Sequence, residues 1–165
     1  MTMKQLEVDA GDVRLAVKTW GERGGGPAVV LVNGFPDSSA VWEPIAEQLA
    51  RDHFVVAYDV RGAGASSVPL RDRDYALAEL SADLARVIDA IGGGPVHLVG
   101  HDWGSVQSWE SVTAPDGFGG RIKSFTSISG PCLDHVGHWM RTHPAGDVAA
   151  QAVKSWYVGA FHLPI

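Results

Sequence analysis

A single cysteine, Cys132, stands among the 165 residues, so no disulfide can form within the chain, and no Cys/His set has the spacing of a structural zinc site. A reducing, cytoplasmic setting fits that thiol content. Long hydrophobic runs are also missing. Nothing approaches the roughly 20 apolar residues of a membrane-spanning helix, and the opening Met1-Thr2-Met3-Lys4-Gln5-Leu6-Glu7 lacks the apolar stretch of an export signal. The expectation is a soluble, unprocessed chain. Positive charge is scarce: 13 Lys and Arg face 19 Asp and Glu, for a formal charge of -6, and no basic stripe forms. Nucleic acid and anionic membranes are therefore discounted as partners. The runs Gly24-Gly25-Gly26 and Gly92-Gly93-Gly94 lack the G-x-G-x-x-G spacing and helix context of a dinucleotide site. No cofactor and no metal are expected.

What is present suits one globular domain. Hydrophobic residues make up 45% and charged residues 19%, and a domain of this size typically buries ~70% of the surface of its unfolded chain. Leu6 and Val8, then Val13, Leu15 and Val17, alternate with polar residues around the turn Ala10-Gly11-Asp12, which predicts a β-hairpin. Residues 28–32 are apolar throughout, as in a strand covered on both faces of a parallel sheet. Ser38 or Ser39 is placed to cap a helix running to about Ala50, with Val41, Trp42, Ile45, Ala46 and Leu49 facing inward. A strand at 54–58, a helix at about 76–91, a strand at 96–99, a helix at about 103–113 and a strand at 122–128 follow. Such alternation implies an α/β fold in three α/β/α layers around a mostly parallel sheet. From about Gly146, Val148, Ala152, Val153, Trp156 and Tyr157 recur at helical spacing, an apolar stripe expected to pack in a core or a domain contact.

One segment carries chemistry. Gly100-His101-Asp102-Trp103-Gly104 lies between a predicted strand and a predicted helix, the context of the G-x-S-x-G nucleophile elbow, with aspartate where serine usually stands. Such a turn presents its central side chain at the carboxyl end of a strand, beside a helix N-terminus that favours an anion. A plainer role for Asp102 is a helix N-cap. Two further motifs weigh against that role alone: Asn33-Gly34-Phe35-Pro36 after the third strand, and Asp59-Val60-Arg61-Gly62-Ala63-Gly64-Ala65-Ser66 after the fourth.

With these three motifs in order, the chain from about residue 5 to 131 resembles the epoxide hydrolase and haloalkane dehalogenase branch of the α/β-hydrolases, in which the motifs read H-G-x-P, D-x-R-G-x-G-x-S and an aspartate elbow. Gly34-Phe35-Pro36-Asp37-Ser38 and Trp42 bring it closer to epoxide hydrolases. The resemblance implies that Asp102 is a nucleophile attacking an sp3 carbon to give an alkyl-enzyme ester, later hydrolysed by a histidine-activated water. It implies an oxyanion hole from the backbone N–H groups of Phe35 and Trp103, the same two residues lining the substrate. The expected partner is a small apolar epoxide or related electrophile. A haloalkane dehalogenase is the alternative, since Trp103 can donate to a departing halide, although Phe35 stands where many dehalogenases carry asparagine. A non-catalytic binding or assembly module is the other alternative.

The resemblance also sets expectations about what lies elsewhere. Residues 1–131 are expected to be the N-terminal part of a hydrolase core, and 132–165 the start of a cap or excursion segment, the fold being truncated after the sixth strand. The acid and the histidine base follow the nucleophile in this fold, and His135, His138, His143 and His162 fall too early for the base. Each is expected to be a surface or packing histidine, and Tyr157 a packing residue rather than an acid. Asp134 falls beyond the strand-end position of the acid, which Ser129 occupies. Asn33 takes the place of a bracing histidine, His101 is expected to pack, and Ser105 lies past the elbow. Phe125-Thr126-Ser127-Ile128-Ser129-Gly130-Pro131 with Asp134-His135 resembles bacterial proteins that fuse such a hydrolase to a C-terminal short-chain dehydrogenase, a domain expected to be missing here. Alone, the chain is expected to lack turnover and to associate through the bare edge of its last strand, as a homo-oligomer or aggregate.

Overall fold

The structure is a computed structural model that describes residues 3–160. It comprises two compact units, Met1–Pro131 and Cys132–Ile165. In the first, β1 (Lys4–Asp9) and β2 (Arg14–Trp20) form the antiparallel hairpin, followed by β3 (Ala28–Val32), α1 (Glu43–Leu49), β4 (Val55–Tyr58), α2 (Leu77–Ala90), β5 (Val96–His101), α3 (Trp103–Val112) and β6 (Ile122–Ile128). The six strands form one sheet in the order β1-β2-β4-β3-β5-β6, parallel from β4 to β6. Val32 pairs with Tyr58 on one side and Gly100 on the other, and Gly100 pairs with Ser127. This register brings the loops that follow β3, β4, β5 and β6 to the same end of the sheet, where α/β folds bind ligands.

Alternation along the strands builds two cores. Val29, Leu31, Val55 and Ala57 pack with Trp20, Trp42, Ala46 and Ala50 around α1. Val30, Val32, Val56, Tyr58 and Leu98 pack on the opposite face against Leu84, Val87, Ile88 and Ile91 of the α2 segment, with Val112 of α3 alongside. The spacing of that α2 stripe, i, i+3, i+4 and i+7, is that of a core-facing helix, and Gly92, at φ 102°, turns the chain out of it. Helices therefore cover both faces, as expected.

The helix expected from Ser38 to Ala50 begins differently. Residues Ser39–Trp42 form a 3₁₀ turn capped by Ser38, whose Oγ accepts from the Ala40 N–H at 3.4 Å, and α1 starts only at Glu43 with Pro44 in its first turn. A 3₁₀ turn advances 120° per residue rather than 100°, so the inward stripe shifts phase. Trp42 and Ala46 are buried, but Val41 and Ile45, expected to face inward, are 45% and 47% exposed.

The second unit contains α4 (Leu133–Thr142), α5 (Ala145–Lys154) and the short α6 (Trp156–Ala160). Pro144 ends α4, because the residue before a proline avoids helical geometry, and His143 sits at φ -95°, ψ 156°. The periodicity from Gly146 falls on α5 and α6, but it builds no core within this unit. Neither α4 nor α5 contains a buried residue, and Val153, Trp156 and Tyr157 are exposed. Helical spacing reports which side chains share a face, not whether anything covers that face. The apolar ending at 161–165, with His162, lies outside the described residues.

Candidate active site

The turn from β5 into α3 holds Asp102 at φ 55°, ψ -126°, a region that side-chain-bearing residues rarely occupy. Backbone bonds fix it there. The Asp102 N–H donates to the Ile128 carbonyl at 2.9 Å, and the Asp102 carbonyl accepts from Ser105 and Val106 at 2.9 and 3.1 Å. The Asp102 side chain makes no capping bond to α3. Asp102 thus stands at the N-cap position without capping the helix through its side chain, whose carboxylate is committed elsewhere. Small residues make the turn feasible: a Cβ on Gly100 would lie 2.6 Å from Ser105 Cα, and one on Gly104 would run into the Val32 carbonyl oxygen.

The carboxylate meets the loop after β3. Phe35 N–H donates to Asp102 Oδ1 at 3.2 Å, across a loop whose Phe35–Pro36 peptide is cis. Gly34 lies between them so closely that a Cβ would collide with Asp102 Oδ1 and sit 2.8 Å from the Trp103 nitrogen. Trp103 is the first residue of α3, and the first N–H groups of a helix have no intrahelical acceptor. The structure thus brings together the backbone donors of Phe35 and Trp103 and the carboxylate of Asp102. The side chains of Phe35 and Trp103 are 72% and 51% exposed, so both are open to a ligand.

Behind this front, Asn33 is buried and donates from Nδ2 to the carbonyls of Asp37 at 2.8 Å and Gly34 at 3.3 Å, bracing the loop across its own turn. His101 packs edge-on against Trp42, with ring centroids 6.4 Å apart. Ser105 is fully buried, its Oγ 2.7 Å from Ser127 Oγ and donating to the Gly130 carbonyl at 2.8 Å, so it holds the end of β6. Ser127 Oγ and Trp109 Nε1 donate to the same carbonyl at 2.9 and 3.1 Å. Asp134 and the three described histidines after Asp102, His135, His138 and His143, belong to the second unit, where the His143 ring stacks on Trp139 at 4.5 Å.

The Asp59–Ser66 segment folds into a knot of buried polar contacts that the sequence motif alone does not explain. Asp59 accepts from the Ser39 N–H at 2.7 Å and the Ala65 N–H at 2.8 Å, and its carbonyl accepts from Ser66 Oγ at 2.5 Å. Arg61 is buried, with two 2.7 Å bonds to Asp83 of α2 and one of 2.6 Å to the Asp74 carbonyl. Those bonds to Asp83 raise the guanidinium pKa above its ordinary value. Burial pushes the Asp83 carboxyl up, and Arg61 pulls it back toward the anion. Nothing marked Asp59 and Ser39 as partners in the sequence, because they lie 20 residues apart and meet only when β3 and β4 pair. Among the described residues, no group of three or more His, Cys, Asp or Glu is arranged to hold a metal ion, and no helix is long and apolar enough to cross a membrane.

A strand–aspartate–helix elbow facing a backbone donor, on a parallel sheet layered by helices, defines an α/β-hydrolase. Residues 27–161 match the family model described as alpha/beta hydrolase fold, and the chain belongs to that family. Within that family, the chain is similar to epoxide hydrolases. Over 76% of its length the chain is 38% identical to Epoxide hydrolase A of Mycobacterium tuberculosis, covering 38% of that protein. The crystal structure of an epoxide hydrolase from Vigna radiata superposes with a TM-score of 0.72 at 30% identity, over 79% of this chain and 39% of that one. Identity is 39% with the Probable oxidoreductase EphD of Mycobacterium tuberculosis, over 96% of this chain. The chain spans only 28% of that protein.

Proposed function

We infer that the chain provides the nucleophile and oxyanion hole of an enzyme that opens small apolar epoxides. The observation that carries this reading is the 3.2 Å bond from Phe35 N–H to Asp102 Oδ1, which holds one carboxylate oxygen and leaves the other free to attack. In the first step that oxygen bonds to an epoxide carbon, the ring C–O bond breaks, and the released alkoxide takes a proton from an acid or water. The product is a hydroxyalkyl ester of Asp102. In the second step a water, losing its proton to a base, adds to the ester carbonyl. The N–H groups of Phe35 and Trp103 stabilise the tetrahedral oxyanion, and collapse releases the diol and restores the carboxylate.

The base is assigned to the remainder of the parent enzyme, in keeping with the 28% and 38% of relatives' length that the chain spans. On this reading residues 1–131 are the N-terminal part of the core, and 132–165 begin the cap. The likeness to a protein named an oxidoreductase supports a parent that also carries a dehydrogenase domain. Alone, the chain forms the ester and holds it. Incubation with styrene oxide followed by peptide mapping tests this: the adduct is expected on the peptide containing Asp102 and released by hydroxylamine, as an ester is. An adduct on another peptide, or one resistant to hydroxylamine, overturns the mechanism.

Two other readings each have an observation behind them. The half-exposed Trp103 indole is a donor suited to a halide, so a haloalkane substrate predicts alkylation by haloalkanes in preference to epoxides. The position of β6 at the end of the strand order among the described residues suits an assembly module, which predicts a defined oligomer in solution and no adduct.

A further inference from the structure

We propose that Asp59 is the positioning residue for the Phe35 oxyanion donor, tying the loop after β3 to the loop after β4 so that Phe35 N–H points at Asp102. The proposal rests on the nucleophile reading of Asp102. It concerns a residue outside the site proper, acting through the backbone.

The chain of contacts is short and continuous. Asp59 is buried at the end of β4, 4% exposed. One carboxylate oxygen accepts the Ser39 N–H at 2.7 Å and the other the Ala65 N–H at 2.8 Å. Bonds to a carboxylate are stronger than neutral ones, and buried ones are costly to lose. Ser39 starts the 3₁₀ turn that closes the loop carrying Phe35. Within that loop the Asp37 carbonyl accepts Asn33 Nδ2 at 2.8 Å. Asn33 pins the loop at its start and Asp59 pins it at its end, with Phe35 between.

The Asp59 side is itself rigid. Gly64, at φ 52°, packs so tightly that any Cβ would collide with the Asp59 carboxylate. Ser66 Oγ donates to the Asp59 carbonyl at 2.5 Å and accepts from the Ala16 N–H at 2.9 Å, fastening the turn to β2. Anchored on both sides, the carboxylate fixes Ser39 relative to the sheet. An anchored loop end limits how far Phe35 N–H can drift from Asp102, and ~1 Å of drift in a positioned group can cost about a hundredfold in rate.

Two variants test this. Asp59→Asn keeps the shape but leaves only one good acceptor for two N–H donors. Ser39→Pro deletes one donor and spares Asp59–Ala65; proline is tolerated at the first position of a helical turn, and Ser38 already has the extended geometry a following proline needs. The readout is a double-mutant comparison by NMR. In the parent, Asp102→Ala removes the acceptor and shifts the Phe35 amide resonance. In the Asp59→Asn and Ser39→Pro backgrounds the same replacement is expected to leave that resonance almost unmoved, and alkylation of Asp102 is expected to slow at least tenfold in the folded protein. A purely structural role would lower the folded fraction while the folded molecules kept both the coupling and the parent rate constant, and that result overturns the proposal. If neither variant folds, amide exchange in the parent decides. Ser39 and Ala65 amides as protected as those of β3 support the clamp, and rapid exchange at Ser39 overturns it. Failure of the nucleophile reading is separable, since it appears as a missing adduct in the parent while the Phe35–Asp102 coupling can still be read.

Discussion

Phe35 and Asp102, 67 residues apart in sequence, meet through one backbone-to-carboxylate hydrogen bond of 3.2 Å at the carboxyl end of the parallel sheet. β3 and β5 are neighbours in the sheet, and each ends in a loop that carries one partner. The bond is a consequence of strand order, and the proposed chemistry depends on it.

Gly34 leaves no room for a methyl group at this junction. A Cβ there would collide with Asp102 Oδ1 and lie 2.6 Å from Asp102 Cβ. Gly34→Ala should push the carboxylate off its donor and slow adduct formation by about a hundredfold, with circular dichroism unchanged. The rate constant from time-resolved intact mass checks it, and a parent-like rate contradicts the geometry.

The buried Arg61–Asp83 pair ties the loop after β4 to α2. Arg61→Met strands the Asp83 carboxylate in the core, and breaking one side of a buried pair costs about 3–5 kcal/mol. Urea unfolding should show a loss of that order. Adding Asp83→Leu to Arg61→Met should recover much of it, because no buried charge then remains.

Asp74 lies beside Arg71, whose two 2.9 Å bonds hold its carboxyl below the ordinary value. A depressed folded-state pKa contributes stability above the unfolded value of ~3.9, and that stability is lost as pH falls through the lower folded value. Asp74→Asn should therefore be less stable than the parent at pH 7, with the gap closing below about pH 4. Parallel thermal melts across that range measure it, and a gap that widens toward acid contradicts the pair's sign.

Trp103 separates epoxide from haloalkane chemistry. Trp103→Phe keeps the backbone N–H and removes the indole donor. Epoxide alkylation should stay within a few-fold of the parent, whereas a haloalkane-directed site should lose most of its reactivity. A large loss with epoxides assigns the indole a role the epoxide reading lacks.

Much of the core and the elbow were legible because they depend on local pattern. The apolar run at 28–32, the alternation around Gly11 and the strand at 122–128 each became the expected strand, and Gly100 and Gly104 marked a turn that only small residues permit. What was not legible depends on partners distant in sequence or on a small change of helical pitch. Val41 and Ile45 have helical spacing, yet the 3₁₀ turn rotates them outward. Trp156 and Tyr157 share an apolar spacing, but periodicity says nothing about cover, and both are exposed. Ser105, Ser127 and Trp109 converge on the Gly130 carbonyl from two elements, and no local signal announces such a meeting.

Intact-mass spectrometry of the chain after exposure to small epoxides, with Asp102→Ala alongside, tests the central claim most directly. The account predicts one added epoxide mass on the parent and none on the variant. No adduct on the parent, or an adduct that persists in Asp102→Ala, would contradict it.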